Sequence, residues 1–239
     1  MNRRTMLYRL ASLGLVGLGA CRARSTDILT DIVNDAVAEA DLLGPDCVLT
    51  AAQTAGPFYF DVDRVRRDIT EGRPGVPLRL VLRIVRADTC QPVPDALVDI
   101  WHTDAGGLYS GYTGQGDDGS IDTREQTFMR GVQLSDAQGR VEFDTIYPGW
   151  YISRTPHIHI KVHFDQRTAV TSQLYFPDPI SRAVYDLEPY SDPARGAWRV
   201  TNDNDFVSSR PAELAQLLMR LDLQGKGYRA SHTIGIAGV

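Results

Sequence analysis

Residues 131–164 read Gly-Val-Gln-Leu-Ser-Asp-Ala-Gln-Gly-Arg-Val-Glu-Phe-Asp-Thr-Ile-Tyr-Pro-Gly-Trp-Tyr-Ile-Ser-Arg-Thr-Pro-His-Ile-His-Ile-Lys-Val-His-Phe. Three short strand-like runs stand out here: Gly131 to Leu134, Gly139 to Phe143 and His157 to Phe164. Asp136-Ala137-Gln138-Gly139 and Pro148-Gly149 punctuate them, as turn-forming residues do between strands. The same rhythm extends outward, to Val76 to Val85 and Ala96 to Trp101 upstream and to Ser172 to Phe176 downstream. Short strands at such spacing predict a mainly β protein, an antiparallel β-sandwich.

Helical patterning is confined to the flanks. Ile28, Leu29, Ile32, Val33, Val37 and Ala40 recur near a helical period within residues 26–43, and Gly44-Pro45 ends the run. Beyond Phe176 the chain is rich in Pro, Asp and Arg, so a loop-rich C-terminal region is expected, with a helix-compatible stretch from Ala212 to Leu221. No internal repeat, heptad run or phosphate-binding glycine loop is present. Asp117-Asp118 lacks the glycine and distal glutamate of a calcium loop.

At 239 residues the chain is long enough for one well-cored domain. Residues 1–21 stand apart: a basic start is followed by an apolar run rich in small residues, the pattern of a secretory signal peptide. Arg3-Arg4 resembles a twin-arginine signal, and Leu18-Gly19-Ala20-Cys21 resembles a lipobox that would leave Cys21 lipidated and membrane-attached. The expected organisation is therefore a signal peptide at 1–21, a linker or helix at 22–45 and one domain at 46–239, exported to the periplasm or beyond. Removing residues 1–20 takes away Arg3, Arg4 and Arg9 and moves the formal charge from -5 to -8. An acidic chain of this kind argues against nucleic acid as a partner. In an oxidising compartment Cys47 and Cys90 would form one disulfide, contributing roughly 3–4 kcal/mol by loop closure; two buried free thiols are the alternative.

His157-Ile158-His159 is the chemical focus. Strand side chains alternate, so both imidazoles project from one face. His163 lies on the same face by the same rule. Such alternation can be purely structural, and the chain would then be a non-enzymatic exported sandwich of transthyretin-like or carbohydrate-binding type. A zinc or copper hydrolase or oxidase using His157, His159 and His163 is a third reading. Tyrosines nearby, however, offer phenolate oxygens, which suit ferric iron better than zinc.

Three blocks narrow these options: Asp99-Ile100-Trp101-His102-Thr103-Asp104-Ala105-Gly106-Gly107-Leu108-Tyr109-Ser110-Gly111-Tyr112, Thr145-Ile146-Tyr147-Pro148-Gly149-Trp150-Tyr151, and Arg154-Thr155-Pro156-His157-Ile158-His159. In this order they resemble the signature blocks of intradiol ring-cleavage dioxygenases, the family of catechol 1,2- and protocatechuate 3,4-dioxygenases. Gln53-Thr54-Ala55-Gly56-Pro57-Phe58-Tyr59 resembles a family segment at the active-site mouth. The resemblance implies a non-haem Fe(III) cofactor held by Tyr109, Tyr151, His157 and His159. It further implies a catechol substrate and O2 as partners, with ring cleavage between the two hydroxylated carbons to a muconate-type product. Tyr151 would double as general base, Arg154 would stabilise charge developing on the substrate, and Gln173 would stand beside the same pocket. Tyr147 and Tyr112 fall outside the implied ligand set, Trp101 reads as core, and Asp104 as a turn residue. Only five residues separate Tyr151 from His157, a shorter connection than in the catabolic enzymes, so a more open pocket admitting bulky catechols is expected.

Overall fold

The computed structural model describes residues 47–151, 153–208 and 210–237. The signal peptide, Cys21 and the helix-compatible run at 26–43 lie outside the described residues. Among the described residues eight strands form two four-stranded sheets. The first runs in the order β4 (Arg140–Ile146), β1 (Pro77–Arg86), β8 (Gly227–Ile236), β7 (Arg220–Gln224). The second runs β3 (Arg130–Leu134), β2 (Leu97–Trp101), β5 (His157–Phe164), β6 (Arg167–Tyr175). Two short helices, α1 (Asp178–Tyr185) and α2 (Pro211–Leu217), follow β6. Among the described residues no helix is long and apolar enough to cross a membrane.

Alternation builds the core. On β1, Leu78, Leu80, Leu82 and Ile84 are buried, and they share one apolar cluster with Val98 and Ile100 of β2 and Ile158, Ile160 and Val162 of β5. Each such side chain contributes roughly 1.5–3 kcal/mol by leaving water. Because these residues occupy the inward face of β5, His157 and His159 are left on the outward face of the second sheet.

The expected sandwich forms, with three local differences. All ladders are antiparallel except β1 with β8, which is parallel, Leu78 opposite Tyr228 and Ile84 opposite Ile234. The C-terminal region is loop-rich only to about residue 210: residues 220–236 form a hairpin whose second strand is an interior strand of the first sheet. The Gly-Tyr-Arg-Ala-Ser-His-Thr-Ile-Gly-Ile of β8 is short of large apolar side chains, so its burial comes from two flanking strands rather than from its own hydrophobicity. The helix expected at Ala212 to Leu221 stops at Leu217, and Arg220 already belongs to β7. Cys47 and Cys90 are disulfide-bonded, with Cα atoms 5.1 Å apart.

Candidate active site

Register places the first rank of side chains. His159 pairs with Trp101 on β2 and with Gln173 on β6, while His157 pairs with Tyr175. Cross-strand partners share a face, so these residues form two adjacent rows on the outward surface. Loops cover that surface, and both histidines are only 2% exposed. Burial, aided by the nearby Arg154 charge for His157 and by His157 itself for His159, holds both imidazoles well below their ordinary pKa. They are therefore neutral lone-pair donors near pH 7.

The tautomer of His157 follows from its neighbour. Its Nδ1 lies 2.7 Å from the Thr155 carbonyl oxygen, which can only accept, so Nδ1 carries the proton and Nε2 is bare. That bare Nε2 has His159 Nε2 at 3.1 Å and the Tyr109 hydroxyl at 3.3 Å. Trp101 lies flat on the His159 ring, and His159 Nδ1 is buried with no hydrogen-bond partner.

Two loops deliver the tyrosines. Asp104 shapes the first: its Oδ1 accepts from the backbone N–H of Gly106 and of Leu108, each at 3.0 Å, and its Oδ2 pairs with Arg73 at 2.9 Å. Gly107, at φ +76°, then passes so close to the second loop that a Cβ there would sit 2.2 Å from the Trp150 carbonyl oxygen. Gly149 is equally crowded, with a built Cβ 2.3 Å from the Ala105 carbonyl oxygen. The backbone-to-backbone docking these glycines permit brings Tyr109 and Tyr151 edge to face, ring centroids 5.6 Å apart. Phe58, from the 53–59 segment, stacks on Tyr109 at 4.5 Å. Burial raises both phenols above their ordinary pKa; Arg154 opposes this at Tyr151, and the Tyr151 oxygen adds to it at Tyr109.

Arg154 closes the site. Ser153 adopts φ +74°, a left-handed conformation uncommon outside glycine, and the chain folds back so that Arg154 N–H meets the Tyr151 carbonyl at 3.2 Å. The guanidinium then reaches three partners: Nη1 donates to the Tyr151 hydroxyl at 3.4 Å, Nη2 to Gln173 Oε1, and Nε to Asp205 Oδ2 at 2.8 Å. Gln173 is itself held, its Nε2 donating to the Thr54 carbonyl at 2.9 Å. Tyr109, Tyr151, Arg154, His157, His159 and Gln173 thus come together in one place.

The donor set can be tested against the implied cofactor. Two neutral imidazoles and two phenols meet with no thiol, and among the described residues no three His, Cys, Asp or Glu side chains cluster to offer another metal site. Hard oxygen donors with borderline nitrogens fit a highly charged ion such as Fe(III). His163 does not join them. It sits four residues along β5, roughly 13 Å from His159 at strand rise, and contacts Thr168 Oγ1 at 3.2 Å. His102 is buried, its Nδ1 bonded to the Thr103 carbonyl at 2.7 Å and its Nε2 near Thr145 Oγ1 at 2.8 Å. The Tyr147 hydroxyl is satisfied by Ser181 at 2.7 Å, and that of Tyr112 by the Tyr59 carbonyl at 2.8 Å.

Sequence reasoning missed two contributors. Trp101, read as core, forms a wall of the site; its period-2 relation to Asp99 and the inward Val98 and Ile100 carried the signal. Asp205, fully buried beside Arg154, had no such signal. A cavity of about 260 Å³ opens on the outer side of Tyr151, lined by Trp150, Arg154, Arg195, Trp198 and Arg199 among others. A smaller one, about 110 Å³, lies between Phe58, Tyr109 and Tyr151.

Comparison with known proteins finds a family model described as "Dioxygenase" matching residues 54–186. A chlorocatechol 1,2-dioxygenase of Pseudomonas putida is 27% identical over 181 residues, 65% of this chain and 64% of that protein. The protocatechuate 3,4-dioxygenase beta chain of Burkholderia cepacia is 31% identical over 139 residues, 54% of this chain and 57% of that protein. The chain thus spans less than two thirds of these relatives' length. Among solved structures, an intradiol ring-cleavage dioxygenase from Tetranychus urticae superposes with a TM-score of 0.70 at 28% identity, covering 80% of this chain and 95% of that one. The dioxygenase domain of a dioxygenase and carbohydrate-binding protein fusion from Streptomyces sp. SirexAA-E gives 0.56 at 27% identity, covering 80% and 99%.

Proposed function

Because this chain belongs to the intradiol ring-cleavage dioxygenase family, we propose that it is an exported non-haem Fe(III) enzyme that cleaves catechol-type rings with O2 between their two hydroxylated carbons. The observation that carries this reading is the convergence on His157 Nε2 of His159 Nε2 at 3.1 Å and the Tyr109 hydroxyl at 3.3 Å. Tyr109, Tyr151, His157 and His159 are the residues that would hold the iron. Bound ferric iron supplies Lewis acidity and an electron sink for a catecholate.

The remaining steps belong to side chains. Tyr151 Oη, as the phenolate that iron binding would leave, would accept a proton from a catechol hydroxyl, and the Arg154 guanidinium, already directed at that oxygen, would stabilise the negative charge that proton transfer leaves on the substrate. Gln173 orients Arg154 through Nη2. Trp101 fixes the plane of His159, and Phe58 covers Tyr109 against water.

The substrate reading extends to substituted, bulky catechols. The cavity beyond Tyr151 offers room for a ring substituent between the aromatic walls of Trp150 and Trp198. Export is supported by the Cys47–Cys90 disulfide, which persists in oxidising compartments. Lipidation at Cys21 would anchor the product of signal cleavage, and intact mass of the mature protein reads it directly.

Metal analysis coupled to a catechol panel with product identification tests the proposal. The expected result is one iron per chain, a red-brown colour from tyrosinate-to-iron charge transfer, and muconate-type products. A semialdehyde product, stoichiometric zinc, or colourless protein after ferric loading would each reject it. Turnover of simple catechol alone would reject the open pocket.

A further inference from the structure

Asp205 lies outside residues 54–186, which the family model matches, and outside every sequence block that marks the site. It is 0% exposed. Both of its oxygens are fully engaged. Oδ2 accepts from Arg154 Nε and from the Thr155 backbone N–H, each at 2.8 Å, while Oδ1 accepts from the backbone N–H of Val207 at 2.8 Å and of Ser208 at 2.9 Å. Four donors arranged around one carboxylate leave it a single orientation.

The segment that carries Asp205 is itself anchored. Asn202 Oδ1 accepts from Thr155 Oγ1 at 3.0 Å, its Nδ2 donates to the Phe176 carbonyl at 2.7 Å, and Ser208 Oγ donates to the Asn202 carbonyl at 2.7 Å. An arginine side chain has much rotamer freedom to lose. Among the hydrogen-bond partners of the guanidinium, Tyr151, Gln173 and Asp205, Asp205 alone carries a carboxylate, and it grips the Nε edge. Gripping that edge turns Nη1 towards the Tyr151 hydroxyl and Nη2 towards Gln173. Phe206, the next residue, lies beneath the guanidinium with its ring centroid 5.3 Å from Cζ.

We propose that Asp205 is a positioning residue: its carboxylate holds the Arg154 guanidinium at the Tyr151 oxygen, where charge develops on the substrate. The catalytic part of this inference rests on the proposed function; the geometric part does not. Asp205→Ala removes the acceptor from both pairs of donors, whereas Asp205→Asn would leave one oxygen to serve two pairs.

In the metal-free protein, the Arg154 Nε–H resonance, assigned by its loss in Arg154→Gln, is expected to be protected from solvent exchange in the wild type and to disappear or exchange freely in Asp205→Ala. In the iron-loaded enzyme, kcat is expected to fall about 10- to 100-fold with KM moving less than about threefold, the signature of a misplaced group rather than of lost binding. Added to Arg154→Gln, the Asp205 substitution is expected to cost less than about twofold more, because residues acting through one another are not additive. Asp205→Glu, which keeps the charge and moves the carboxylate by one methylene, gives the same reading if the alanine variant does not fold.

Retention of a protected Nε–H resonance, unchanged kcat, or multiplicative losses in the double variant would overturn the proposal. If the wild type cleaves no catechol, the proposed function fails, and the resonance still decides whether Asp205 holds Arg154.

Discussion

Trp101 lies flat against His159, with ring centroids 4.7 Å apart and planes 2° from parallel. The two residues are direct partners in the β2–β5 ladder, so the contact is a product of register. Trp101→Leu should therefore cost roughly 2–4 kcal/mol in a denaturant titration and also release His159, lowering iron occupancy after dialysis. Trp101→Phe keeps a flat surface, and iron occupancy should recover.

On the proposed function Tyr151 would have two tasks, at the metal and at the substrate proton. Tyr151→Phe should shift or bleach the visible absorption and lower kcat by about 10²- to 10⁴-fold, the range for loss of a general base. His159→Ala should go further and leave the protein essentially iron-free by metal analysis, with its far-ultraviolet circular dichroism unchanged.

Gly107 marks the closest approach of the two tyrosine loops. Gly107→Ala meets the Trp150 carbonyl and a positive φ together, so it should destabilise by about 2–4 kcal/mol and separate Tyr109 from Tyr151. Urea unfolding and the tyrosinate absorption band measure the two consequences independently.

Asp99 predicts a pH dependence of stability. Burial pushes its carboxyl up to about 7; the Tyr59 hydroxyl bond, Lys161 and Arg130 oppose the shift, and Asp61 adds to it. A raised folded-state value means that the unfolded chain gives up this proton first. The stabilisation is thus complete below about pH 4 and is lost as pH rises towards 7, by about 4 kcal/mol in total. Unfolding free energies measured at pH 5 and pH 8 should show about 2–3 kcal/mol of this fall in the wild type, and Asp99→Asn should lack that component.

The disulfide closes a long loop that includes the 53–59 segment. Its reduction, or Cys47→Ser with Cys90→Ser, should lower stability by about 3–4 kcal/mol on the chain-entropy estimate. Thermal unfolding with and without reductant reads the change.

Much of this architecture is written locally. Alternating apolar residues in 78–84, 98–100 and 158–162 set strand positions, and the same alternation puts His157 and His159 on one face without reference to any other element. Turn chemistry marked the loop at Asp104 to Gly107. The interior strand β8 escaped notice because its small and polar residues are buried by neighbours rather than by their own character. Trp101 was legible as buried, but not as the surface on which His159 lies, since a core tryptophan and a wall tryptophan have the same local pattern.

By itself, then, the sequence determined a sandwich of short strands, a histidine pair on a common face, and tyrosine and arginine residues in three ordered blocks. Tertiary structure decided which atoms meet. Tyr109 and Tyr151 come together because Gly107 and Gly149 let two loops touch backbone to backbone, and Arg154 finds Asp205 across 51 positions of chain. Periodicity is a property of neighbours along the chain, whereas these contacts depend on how loops pack after the sheets have formed. Only the folded protein turns a face carrying two histidines into a closed set of donors.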